Sequence, residues 1–163
     1  MAKISEPHAS LRKLVASPRF VYNVKFICGI QKNRFENDCS AILSRGIYST
    51  EINILNFGFK PALIGKAFIP LVTSNKPRAV EPNNARLINV ERVELPPVSA
   101  TMDDCCKLTE MIKEKDPALK IGFLEIVSTV ELEVVAVYTV TNLEQDKPAI
   151  NVVQIQGKRL TLK

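Results

Sequence analysis

Apolar and polar residues alternate with a period of two along most of this chain, the pattern of half-buried strands. From Phe20 to Ile30, the residues Phe20, Tyr22, Val24, Phe26 and Cys28 share one face, and Val21, Asn23, Lys25 and Ile27 the other. Aromatic and β-branched side chains suit a pleated surface. The stretch therefore predicts a first strand whose Tyr22–Cys28 face lies in the core. Ile47–Leu55 predicts a second strand, Asn56-Phe57-Gly58 a turn, and Ala62–Leu71 a third strand close enough for a hairpin. Ala85–Leu95 predicts a fourth, ended by Pro96-Pro97, neither of which can donate to a ladder. Leu119–Ser128 and Leu132–Thr141 predict a tightly joined strand pair. The second of these is apolar on both faces around Val134–Thr139, so it is expected to be central and covered on both sides. Ala149–Leu162 predicts a last strand, with Gly157 marking a bulge.

One segment departs from this period. Cys105, Leu108 and Ile112 recur at helical spacing, which predicts a helix over Thr101–Lys115. Thr101 suits its N-cap, and Asp104 follows at the capping-box position. Asp103 and Asp104 at one end and Lys113 and Lys115 at the other complement the helix dipole. Gln31–Arg45 and Val72–Asn84 read as loops. Strands that run in succession, broken by a single helix, do not alternate as a βαβ fold requires. The expected fold is mainly β: an antiparallel β-sandwich of about seven strands, with one helix inserted between the fourth and fifth.

A chain of 163 residues suits one domain. Charge divides it. The net charge is +5, yet residues 1–34 hold seven basic groups against Glu6 alone, and the remainder holds 15 basic and 16 acidic groups. The expected organisation is a basic N-terminal arm over 1–19 and a β-sandwich domain over 20–163. The basic balance thus describes the beginning of the chain, where it suits an acidic contact. The body has no basic stripe and the chain has no Trp, which argues against base stacking and a nucleic-acid partner. No apolar run reaches the ~20 residues of a membrane span, and Met1–Arg19 has no signal-peptide apolar core. These features imply a cytoplasmic protein with no membrane span.

Candidate chemistry is sparse. The single histidine, His8, lies in the arm, which leaves the body without the usual general base. Gly-rich phosphate loops and paired metal-binding histidines are absent from the sequence. The four cysteines, Cys28, Cys39, Cys105 and Cys106, lack the paired knuckles of a zinc site. Adjacent Cys105 and Cys106 point about 100° apart on a helix. Cys28 shares a face with Tyr22, Val24 and Phe26 and reads as a small buried hydrophobe. A cytoplasmic setting weighs against disulfides. The cysteines remain weak metal candidates, and no cofactor is implied. Glu51 and Asn53 share one face of the second strand, either solvated or forming a polar row at a subunit interface or ligand groove. Glu125 is a lone carboxylate in an apolar strand. It is expected to face solvent. If buried it needs a partner such as Arg45, Arg86 or Arg92, because an unpaired buried charge is costly.

The strand at Thr50–Leu55 leading into the Asn56–Gly58 turn, the charged strand Arg86–Leu95, and the Gly122–Val140 hairpin with its apolar second strand resemble the sensory rhodopsin transducer family over about Ile47–Gln156. Uncharacterised bacterial proteins are similar in pattern too. The resemblance implies a cytoplasmic β-sandwich that forms a homo-oligomer, often a tetramer, and acts by binding. The expected function is therefore a non-catalytic, oligomeric β-sandwich module or adaptor for a protein or a small polar ligand. Glu51, Asn53, Glu125 and Arg45 are its candidate ligand or interface residues. The alternatives are a cysteine-based metal or thiol protein, and an enzyme in which Glu51, Glu125 and an arginine converge.

Overall fold

The computed structural model describes residues 15–32, 44–73, 76–77, 87–113, 115–143 and 147–160. His8, Cys39, Arg86 and most of the basic arm lie outside these residues. Ten strands and one helix are described: β1 (Phe20–Gln31), β2 (Gly46–Asn56), β3 (Ala62–Thr73), β4 (Lys76–Pro77), β5 (Ile88–Leu95), β6 (Ser99–Asp103), α1 (Cys105–Ile112), β7 (Lys120–Ser128), β8 (Glu133–Asn142), β9 (Pro148–Ile155) and β10 (Lys158–Arg159). Every strand pairing is antiparallel. The fold is mainly β, as the alternation predicts, with ten described strands where about seven were expected.

The sheet path runs β4-β3-β7-β1-β2-β8-β9 and is open at both ends. β1 joins its two halves. Phe20–Cys28 pairs with β7, and Gly29–Gln31 pairs with β2. The change of partner occurs at Gly29, whose φ of +108° is open to glycine and strained for other residues. A side chain there would also run into the Ala118 carbonyl. Beyond it, Ile30 N–H donates to Pro117 O at 2.9 Å.

The main core draws on both halves. Tyr22, Val24, Phe26 and Cys28 of β1 are buried with Ile52 and Ile54 of β2, Ile64 and Phe68 of β3, Leu124 and Ile126 of β7, and Val134 and Ala136 of β8. Phe26 and Phe68 meet edge to face with centroids 5.5 Å apart, and burying each ring contributes about 1.5–3 kcal/mol. Tyr22 is fixed at its polar tip: its hydroxyl donates to Leu132 O at 3.1 Å and accepts from Leu132 N–H at 2.8 Å.

Several local expectations are corrected. β2 and β3 form no hairpin; β2 pairs with β1, β6 and β8, and β3 with β4, β5 and β7. The Asn56 turn instead carries the chain from one half of the sheet to the other. Asn56 is fully buried, and its amide donates to the carbonyls of Lys60, Leu95 and Pro96 at 2.8, 3.1 and 3.0 Å. β7 and β8 likewise do not pair, because Thr129–Leu132 makes a second crossing. The helix starts later than Thr101: Thr101 to Asp103 pair with β2 as strand β6, and Asp104 is the N-cap, accepting from Lys107 N–H at 2.8 Å. α1 ends at Lys113, in the left-handed region. Gly157 separates β9 from β10, and a side chain on it would meet the Tyr22 ring. The arm is docked where it is described. Val15 is fully buried against Ala67 and Val127.

Candidate functional site

The expected site residues fall in different places. Glu51 and Asn53 lie on the outward face of β2, and Asn53 Nδ2 donates to Glu51 Oε1 at 2.7 Å. Their neighbours across the ladders are apolar. Glu51 is opposite Val137, which is opposite Val152; Asn53 lies between Met102 and Val135. Val152 is 62% exposed, Ile150 68% and Met102 50%. β8 is thus central in its half, but its Val135–Val137–Thr139 face is only half-buried, which corrects the expectation of cover on both sides. Every residue of β9 from Pro148 to Gln154 is exposed. Beside this face Ile27, Tyr48, Tyr138 and Ile150 help line a cavity of about 210 Å³. Burial pushes the Tyr48 and Tyr138 phenols above their ordinary range.

Glu125 is buried, contrary to the solvated position expected, and it engages a partner there. It sits on β7 opposite Asn23 and Ala67. Alternation places it away from Leu124 and Ile126, on the outer side of that half. β1 stands between β7 and β2, so Glu125 and Glu51 belong to different halves and do not build one carboxylate site. Arg45 lies half-buried just before β2 and is also engaged.

The cysteines do come together. Cys28, at the core end of β1, and Cys105, the first residue of α1, form a disulfide with Cα atoms 5.8 Å apart. Cys28 is buried in the core as expected, but its sulfur is bonded, which corrects the argument against disulfides. Residues 77 apart meet because β2 pairs with both β1 and β6, the strand that leads into α1, and Thr50 bonds to Ile27 and to Cys105 alike. Cys105 Sγ also accepts from Thr50 N–H at 3.2 Å and contacts Ser49 Oγ at 3.5 Å. Cys106 is exposed and free. All three line a cavity of about 400 Å³. Among the described residues no three His, Cys, Asp or Glu side chains converge as a metal set.

One constellation was missed by sequence reading. Lys66, on the core face of β3, is 2% exposed. Its Nζ meets Asp103 Oδ1 at 2.7 Å and Oδ2 at 3.0 Å, and Glu91 Oε2 at 3.4 Å. Lys107 closes the row, 3.0 Å from Glu91 Oε1. Burial alone would raise the Glu91 carboxyl, but the bond from Lys107 and the charges of Lys107 and Lys66 hold it below its ordinary range. The only sequence signal was a lysine at a core position of an otherwise apolar strand, with its partners far along the chain.

The described residues thus make a mainly β, antiparallel fold with one short helix, a buried charge row and a cysteine-lined cavity. The sequence matches no family model and no curated protein. Among solved structures it is similar to Thermotoga maritima 1070, with 14% identity over 87% of this chain and 96% of that one and a TM-score of 0.48. No described helix is long and apolar enough to cross a membrane.

Proposed function

We propose that this chain is an oligomeric β-sandwich binding module whose β2-β8-β9 face seats a second copy of itself. The observation that carries the reading is the uncovered apolar face around Val137, Ile150 and Val152. Isolated exposed apolar residues are ordinary, but a contiguous row on a sheet marks an interaction site. β9 carries no charge, the usual guard of an edge strand, and its one proline, Pro148, sits at its first position. A neutral strand suits self-association, because a twofold pairing places no like charges opposite one another. The Glu51–Asn53 pair would give that interface its polar register. Two features support a sandwich of the two halves: they share one core cluster, and Tyr138 Oη donates to Lys25 O at 2.8 Å across them. The resemblance to the sensory rhodopsin transducer family favours the same reading, in which the assembled module binds a protein or a small polar ligand.

The test is a charge placed on the face. Val137→Lys with Val152→Lys, followed by sedimentation velocity, is expected to give a monomer with an unchanged β-type circular dichroism spectrum. Assembly that survives both substitutions would place the interface elsewhere and overturn this assignment.

A further inference from the structure

The cysteine-lined cavity borders the proposed interface, since Ser49, on the Glu51 side of β2, contacts Cys105 Sγ, but it carries a chemistry of its own. We propose that Cys28 and Cys105 form a redox-active pair that exchanges with low-molecular-weight thiols and disulfides through this cavity, Cys105 meeting the external sulfur and Cys28 resolving it. Three asymmetries distinguish the two sulfurs.

Access separates them first. Both line the cavity, but Cys28 is 2% exposed and belongs to the apolar core, whereas Cys105 is half-buried and only packs against that core. Polar support separates them next. Thr50 N–H points at Cys105 Sγ from 3.2 Å, and the Ser49 hydroxyl lies 3.5 Å away as a second donor. Two donors therefore face negative charge on Cys105 Sγ, whereas Cys28 sits in the core beside its cross-strand neighbour Lys120, whose ammonium is taken up by the Asp116 and Ala118 carbonyls. Mounting is the third difference. Cys28 sits within a paired strand, while Cys105 opens an eight-residue helix.

Oxidation then runs in two displacements. The Cys105 thiolate attacks one sulfur of an external disulfide RSSR, forming a Cys105–S–S–R bond and releasing RS⁻. Cys28, losing its proton to solvent, attacks Cys105 Sγ and displaces the second RS⁻. Two electrons pass from the protein dithiol to RSSR, and both released thiolates take up protons. Reduction by RSH follows the same path in reverse. The cavity of about 400 Å³ has room for the small R group while the mixed disulfide exists. Exposed Cys106 is a bystander whose thiol modifies independently.

The probe is glutathione disulfide, added to prereduced full-length protein in which Cys39 and Cys106 are replaced by Ala. This protein is expected to close to an intramolecular disulfide without retaining glutathione, seen by intact mass. Adding Cys28→Ala should trap one glutathione per chain, on Cys105. Adding Cys105→Ala instead should leave Cys28 unmodified until urea exposes it. Ser49→Ala, which keeps both cysteines and the core, should slow trapping about two- to tenfold, the range of one lost hydrogen bond. Trapping on Cys28 at the same rate as on Cys105 in folded protein would overturn the assignment, as would no closure of the prereduced pair. Both readouts are made on chains whose circular dichroism matches the parent, so loss of folding is not mistaken for loss of reactivity.

Discussion

Asp103→Ala is the substitution for which the structure sets the largest expected effect. Asp103 and Lys66 have side chains 1% and 3% exposed, and their charged atoms meet at 2.7 Å. Removing the carboxylate leaves an ammonium in the core with only Glu91, 3.4 Å away and 32% exposed, to answer it. Breaking a buried pair from one side costs about 3–5 kcal/mol, out of the roughly 5–15 kcal/mol by which a domain is stable. At about 2–4 °C per kcal/mol for a chain of this size, the midpoint should fall roughly 6–20 °C. Replacing both partners with apolar residues of similar volume, Lys66→Met with Asp103→Leu, removes the stranded charge and should recover most of the loss. Urea unfolding followed by circular dichroism, for both single variants and the double, gives the coupling directly. A single-variant cost under about 1 kcal/mol, or a double variant as unstable as the sum of the singles, would show that Lys66 and Asp103 are not the coupled buried pair described.

Further outcomes follow from neighbouring contacts. Glu91→Gln should cost only about 0.5–1 kcal/mol at pH 7, since the carboxylate is partly screened by solvent. Because the folded state holds Glu91 below its ordinary range, its contribution is present above the unfolded value near 4.3 and is lost as pH falls through the lower folded value. Urea midpoints of variant and parent should therefore converge toward pH 3, and a gap that widens there would contradict the sign. Asn56→Ala strands three carbonyls at the crossing loop, at about 1–3 kcal/mol for a buried group left unsatisfied; an unchanged thermal midpoint would refute that role. Gly29→Ala should lower the thermal midpoint by several degrees, because a side chain meets the Ala118 carbonyl at a positive φ; a variant as stable as the parent would show that β1 does not need that turn of backbone.

The alternation of Tyr22, Val24, Phe26 and Cys28 was readable in full, because a period of two assigns each residue to a face. The same pattern is silent about which strand lies alongside. Thr129–Leu132 and Asn56–Lys60 therefore look like hairpin links, and the structure shows both as crossings between halves of the sheet. Thr101 fits a cap by local chemistry, yet pairing with Ile54 makes it a strand residue. The missed contacts are long-range ones. Lys66 and Asp103 stand 37 residues apart, and Cys28 and Cys105 stand 77 apart. The alternation predicts a solvated Glu125, because its neighbours along the strand say nothing of what covers its outer face. Glu51 and Asn53 were placed together correctly, since residues two apart on a strand share a side.

The central claim is that the β2-β8-β9 face is covered by another copy. Multi-angle light scattering on the full chain, across a concentration series at moderate salt, tests it most directly. The expected mass is a whole multiple of 18.2 kDa, at least twofold, holding at micromolar concentration. A mass of 18.2 kDa throughout the series would contradict it.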